Sequence, residues 1–169
     1  MNWHEYFFSL VEVIKAKSKD PSTKVGCVIV GSDNEVISTG FNGLPIGVKE
    51  TTVRQCRPVK YLYYEHAERN AIYLASRRGI PKGARIYLEW FPCADCARAI
   101  IQVGISEVFI DGRKYDPYNP TEADTRWRES MDAAKEMFFE AGVNVLIWNF
   151  FVTSILCKDA EGKFIFKKV

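Results

Sequence analysis

Along residues 2–18 apolar side chains recur at Trp3, Tyr6, Phe7, Leu10, Val13 and Ile14, a helical period that predicts an amphipathic helix capped by Asn2. The period then changes. "VGCVIV" and "EVISTGF" flank the turn-rich "GSDNE" and predict a β-hairpin. "GFNGLPIG" is too rich in Gly and Pro to continue a strand, so it reads as a loop leaving the strand end. Residues 51–64 follow neither period, and "KYLYY" admits a short strand or an ordered loop. Residues 67–78 predict a helix that stops near Gly79; "ARIYLEW" predicts a strand, "ADCARAIIQVG" a helix and "SEVFID" another strand. "GRKYDPYNPTEAD", with its two prolines, is a loop, and a long helix follows from about Thr125 to Ala141. After the strand "VNVLIW", the runs "FFVTSILC" and "FIFKKV" around "KDAEGK" predict an added hairpin.

A hairpin followed by alternating helices and strands predicts one α/β domain, its sheet covered by helices on both faces. The order is αββ-αβ-αβ-αβ plus the terminal hairpin. Residues 1–149 form the expected domain, and 150–169 an extension packed on it. No repeat, low-complexity tract or linker divides the 169 residues, a length that can bury a real core. Lys plus Arg number 23 against 21 acids, and a net charge of +2 does not announce a polyanion partner, though it leaves room for a local phosphate pocket. No apolar run reaches membrane-spanning length, and "MNWHEYFF" lacks the layout of a secretory signal, so the expected location is the cytoplasm. There a C-x-x-C pair, Cys93 and Cys96, suggests metal or redox chemistry rather than a disulfide.

The chemistry-bearing segments are "EHAERNAI" and "FPCADCA". Cys93 and Cys96, three apart at a helix start, turn both thiols toward one point beyond its N-terminus. The helix dipole and free N–H groups there favour thiolates. His66 sits likewise at the first turn of the preceding helix. If the two helix starts lie side by side, His66, Cys93 and Cys96 make three zinc ligands with a fourth position open, the layout of a catalytic rather than a structural site. Glu68 lies on another face of its helix from His66 and need not bind the metal. It is placed to hydrogen-bond the water at the metal and carry its proton to a leaving group. Ala67 keeps the space between them small enough for a flat ring.

H-x-E…P-C-x-x-C is the signature of zinc nucleobase deaminases, with the Glu as acid/base and not a ligand. "HAERNAI", "PCADCARAIIQVGI", "SKDPSTKVG" and "GFNGLPIG" together resemble the deoxycytidylate (dCMP) deaminase family of the cytidine deaminase superfamily, over roughly residues 3–116. The resemblance implies a three-layer α/β/α cytidine deaminase-like domain with a central mixed sheet of about five strands and a C-terminal hairpin extension. It also implies Zn²⁺ as cofactor and hydrolysis of dCMP to dUMP and ammonia. Asn42 is implied at the sugar hydroxyl, Ser22 and Lys24 at the 5′-phosphate, and Tyr115 near the nucleotide. Regulation by dCTP and dTTP and assembly into a homo-oligomer, commonly a hexamer, are implied in the same way. The 116–124 loop and the C-terminal hairpin have no family counterpart.

Other zinc deaminases of a free base, nucleoside or nucleotide (guanine, cytidine, dCTP) remain open on the residues alone, because the pocket decides the substrate. A polynucleotide deaminase is disfavoured by the +2 charge and the lack of a basic stripe interleaved with aromatics. A zinc-stabilised module without activity would have no use for Glu68. The remaining candidates read as ordinary: Glu65 as a capping or solvent-facing acid, Cys27 and Cys56 as buried or half-buried thiols, Cys157 as core, Tyr61, Tyr63 and Tyr64 as packing, and His4 as structural or surface.

Overall fold

The computed structural model describes residues 1–150 and 152–169. Helix α1 (Trp3–Lys15) opens the chain, and Asn2 caps it in a full capping box with Glu5. Strands β1 (Gly26–Val30) and β2 (Val36–Phe41) form the expected hairpin. The stretch that followed neither period folds as a short helix, α2 (Thr52–Gln55), and a 3-10 turn over Val59–Leu62. Such pieces are too short to show an apolar period. Then come α3 (Ala67–Ala75), β3 (Arg85–Leu88), α4 (Ala94–Gln102), β4 (Glu107–Asp111), α5 (Glu122–Glu140), β5 (Asn144–Asn149), β6 (Val152–Lys158) and β7 (Phe164–Lys168). Phe151, within the predicted run "FFVTSILC", lies outside the described residues.

One seven-stranded sheet runs in the order β2-β1-β3-β4-β5-β6-β7. The pairs β3–β4 and β4–β5 are parallel; the hairpins on either side are antiparallel. Five strands thus make the expected mixed sheet, and the C-terminal hairpin continues it by two. Alternation along the central strands sorts side chains onto two faces. Val28, Val30, Tyr87, Phe109 and Trp148 pack under Phe7, Phe8 and Val11 of α1. Cys27, Ile29, Ile86, Leu88, Val108 and Ile110 face the other way, toward Ala67 and Ala71 of α3, Ala97 and Ile100 of α4 and Phe138 of α5. The sheet is therefore the middle of three layers. Cys157, expected in the core, is only half-buried; its neighbour Leu156 takes the buried position. Cys56, expected to be buried or half-buried, is exposed.

Topology brings the loops of interest to one end of the sheet. Cys27 pairs with Leu88 and Gly26 with Phe41, so the start of β1, the end of β2 and the end of β3 lie side by side. That is the carboxyl end of the parallel strands, where open α/β sheets bind ligands. Glu89, buried just after β3, ties this end together. Its carboxylate accepts the Gly26 N–H at 3.0 Å and the Lys15 ammonium at 2.8 Å, and also pairs with Lys114. Among the described residues no helix is long and apolar enough to cross a membrane.

Candidate metal centre and active site

His66 and Cys93 are the N-cap residues of α3 and α4, and neither side chain is spent on a capping hydrogen bond. Both are thus free to meet in front of the two helix ends. His66 Nδ1 lies 3.6 Å from Cys93 Sγ and 3.5 Å from Cys96 Sγ, and the donor atoms of all three fall within 4.8 Å of one another. One nitrogen and two sulfurs at this spacing fit a tetrahedral zinc ion with one position left open. Among the described residues this is the group of His, Cys, Asp and Glu that can hold a metal.

The thiols are electrostatically prepared. A hydrogen bond from Cys96 holds the Cys93 thiol well below its usual range against the opposing effect of burial, and His66 helps. Cys96 moves the other way, raised by that same hydrogen bond and by its burial. His66 is raised mainly by its bond to Cys93. Arg69, one turn along α3, pairs with Glu65 and reaches Asp95 of α4 at 3.4 Å, so an ion cluster bridges the two donor-bearing helices. At the other side of α4, the Ala94 N–H donates to Ser130 Oγ of α5 at 2.9 Å.

A cleft of about 210 Å³ opens in front of the donors. His66, Ala67, Glu68 and Cys93 form its floor, with Trp90 and Phe91 beside them. Glu68 is 8% exposed, and burial pushes its carboxyl above the ordinary range, opposed chiefly by His66. Such a carboxyl, held above its ordinary range, is suited to taking up and returning protons.

The chain brings Asn42 to this floor through a backbone bridge. Gly43 and Glu65 exchange hydrogen bonds of 3.1 and 2.8 Å, which fixes the "GFNG" loop beside His66. The amide of Asn42 is nearly consumed by structure. Its Oδ1 accepts from the Val25 N–H at 2.8 Å, and its Nδ2 donates to Asp20 Oδ2 at 3.0 Å and to the Thr23 carbonyl at 2.9 Å. Ser22 Oγ donates to Asp20 Oδ1 at 2.8 Å and accepts from Lys60 Nζ at 2.6 Å. Lys24 is exposed, and neither it nor Ser22 is among the residues lining the cleft. Tyr115 is buried in the core cluster and lines a smaller neighbouring cavity instead. The structure therefore gathers His66, Ala67, Glu68, Cys93, Cys96 and Asn42, and leaves Ser22, Lys24 and Tyr115 outside the cleft wall.

Several lining residues were not singled out from the sequence. Lys60, buried, pairs with Asp20 Oδ2 at 2.6 Å. Tyr61 and Tyr64, read as packing, line the cleft, as do Arg57, Asp124, Arg126, Trp127 and Met131. The Trp127 ring meets His66 edge-on at 5.9 Å and Tyr61 at 5.9 Å. These residues come from the 3-10 turn and the start of α5. Helix α5 begins at Glu122, three residues earlier than its apolar period suggested. The signal was present: Thr121 and Asp124 stand at capping-box spacing and make both capping bonds.

A buried acid beside three metal donors on two helix ends, in a three-layer α/β/α domain, defines a metal-dependent hydrolase active site of the nucleobase-deaminase type. The comparisons agree. The family described as "Cytidine and deoxycytidylate deaminase zinc-binding region" matches residues 1–111, and the chain belongs to that family. It is 42% identical over 143 residues to an uncharacterised deaminase in the luxG 3′ region of Aliivibrio fischeri, covering 85% of this chain and 91% of the other. It is 38% identical over 121 residues to the deoxycytidylate deaminase of Homo sapiens, covering 68% and 67%. The fold is that of the cyanophage S-TIM5 dCMP deaminase solved with dCMP and dUMP: TM-score 0.64 at 23% identity, covering 85% of this chain and 95% of that one.

Proposed function

We propose that this protein is a zinc-dependent deaminase that hydrolyses dCMP to dUMP and ammonia. The observation that carries the proposal is the buried Glu68 carboxyl on the cleft floor, beside the His66, Cys93 and Cys96 donors. The relatives named deoxycytidylate deaminase support the choice of substrate.

His66, Cys93 and Cys96 hold the zinc, which when bound supplies the Lewis acidity that makes water nucleophilic near neutral pH. Glu68 takes a proton from the attacking water and delivers it to N3 of the pyrimidine, then passes the second proton to the departing 4-amino group. Its raised affinity for protons suits this shuttling. Ala67, with no side chain beyond Cβ, leaves room for the flat ring. Asn42 retains one acceptor lone pair on Oδ1 for a sugar hydroxyl while its other contacts hold the 20–25 loop. Residues 1–149 act as the deaminase unit, with 150–169 packed on it. By the same resemblance dCTP and dTTP act as effectors on a homo-oligomer.

The test is ammonia release from dCMP by zinc-loaded protein, together with zinc content and turnover of Glu68→Gln. The expected variant keeps one zinc per chain and loses ~10²–10⁴-fold in kcat. Undiminished turnover would remove Glu68 from the mechanism, and silence of the wild type on dCMP would overturn the substrate.

A further inference from the structure

The cleft has a second charged end. Its lining ionisable groups divide into those already engaged by a partner and those that are not. Asp20 and Lys60 cancel each other at 2.6 Å. Glu65 is matched by Arg69, and Asp124 is spent on Thr121, accepting from its N–H at 2.7 Å and its hydroxyl at 2.6 Å. Glu68 is committed to proton transfer. Two cations are left over. Arg57 and Arg126 line the cleft, both exposed, and among the described residues neither forms an ion pair with a carboxylate. The contact made by Arg126 is a donated hydrogen bond to Tyr61 Oη at 3.2 Å.

Their placement is as telling as their charge. An aromatic row leads from the metal donors to Arg126: His66 to Trp127 at 5.9 Å, Trp127 to Tyr61 at 5.9 Å, then the Tyr61 hydroxyl to the guanidinium. The row thus connects the metal donors to a guanidinium along one lining of the cleft. Arg126 and Trp127 also lie beyond the family match, which ends at residue 111, on the two opening turns of α5.

We infer that Arg57 and Arg126 form the anion clamp that reads the 5′-phosphate of a mononucleotide, with Tyr61 steering Arg126 and Trp127 walling the nucleotide between clamp and metal donors. Guanidinium forks suit a phosphate because each presents paired N–H donors in fixed geometry. Lys60 is unsuited to that role. Its ammonium is buried and already bound to Asp20 Oδ2 and Ser22 Oγ, both at 2.6 Å. Its task is to hold the 20–25 loop. The clamp therefore assigns the phosphate contact to Arg57 and Arg126 rather than to Ser22 and Lys24 of the 20–25 loop, where the resemblance implied it.

The inference rests on the proposed reaction only through the choice of a nucleotide ligand, and its test is a binding measurement separate from turnover. Calorimetry with dUMP and with deoxyuridine compares the same base and sugar with and without phosphate. Wild-type protein should prefer dUMP. Arg57→Gln and Arg126→Gln should each reduce the dUMP-to-deoxyuridine affinity ratio about tenfold, and the double variant should bring it close to one. Arg126→Lys should recover part of the ratio and show a steeper salt dependence than wild type's. A ratio that survives in the double variant overturns the clamp. So does an equal loss for both ligands, which would make Arg126 a wall of the pocket and nothing more. A wild type without preference for dUMP overturns it as well. Turnover of dCMP by the same preparation then reports separately whether the deaminase assignment stands.

Discussion

Lys60 and Asp20 form a buried ion pair, 6% and 2% exposed, within a shell that also contains Ser22 and Asn42. Burial alone would lift the Asp20 carboxyl. The Lys60 ammonium, the N–H groups of Ser22 and Thr23 and the Ser22 hydroxyl together outweigh burial and hold it below the ordinary 3.8. A depressed carboxylate contributes stability that is complete above its unfolded value and is lost as pH falls through its folded one. Removing one partner of such a pair strands the other charge, so Lys60→Met should cost about 3–5 kcal/mol at neutral pH. Urea unfolding of both proteins from pH 7 to pH 2 is the check. The gap between them should narrow as pH falls, first as the stranded Asp20 of the variant takes up a proton and then as the paired Asp20 of the wild type does. A gap that stays constant through the acid range would place the cost in lost packing around Lys60 rather than in the pair.

Helix α3 is set against β2 by a contact that only glycine permits. A Cβ on Gly40 would lie 2.1 Å from the Ala67 carbonyl oxygen and 2.6 Å from the Ala71 nitrogen, and both atoms are backbone. Ala67 stands between His66 and Glu68, so the approach of strand to helix sets where a metal donor and the buried Glu68 carboxyl sit. Gly40→Ala should lift the first turn of α3, cost about 1–3 kcal/mol as an overpacked site does, and weaken zinc binding with it. Gly43→Ala is the matched control, since nothing lies within 4 Å of its added Cβ, and it should stay within about 0.5 kcal/mol of wild type. Thermal unfolding and bound zinc are read together; equal behaviour of the two variants would mean the close contact does not place the donors. Elements with a period or a cap of their own were legible in the sequence. So were the His66, Glu68, Cys93 and Cys96 positions, because each is fixed by its offset from a helix start. Lys60, Tyr61, Arg57 and Trp127 were not. They sit on short turns without a period, or on helix turns whose importance lies in what stands across the cleft. Lys24, implied at the phosphate by the resemblance, is exposed and does not line the cleft, whereas Lys60 does.

At the scale of the molecule the question is whether zinc builds this fold or is received by it. In small zinc modules the metal is the core, and its removal unfolds the chain. Here the donors stand on helices that are already packed. Cys96 has no exposure, and its neighbours Ala97 and Ile100 on α4 and Ala67 and Ala71 on α3 are buried against the central strands. The opposite face has its own apolar layer under α1, far from the donors in the fold. The Arg69 cluster bridges the two donor helices, and the Ala94–Ser130 bond holds α4 to α5. A chelated protein should therefore remain folded, with near-UV circular dichroism and a cooperative melt retained. It should melt lower, because a ligand bound only to the native state at a thousandfold excess over Kd adds about 4 kcal/mol. For a chain of this size that is roughly 10 °C in Tm, returned when zinc is added back. The decisive measurement is the melt of chelated protein followed at near-UV wavelengths. A chelated chain without tertiary signal would make the metal a structural keystone, and the packing of α3 and α4 on the sheet would then be a consequence of zinc binding rather than the framework that prepares the site.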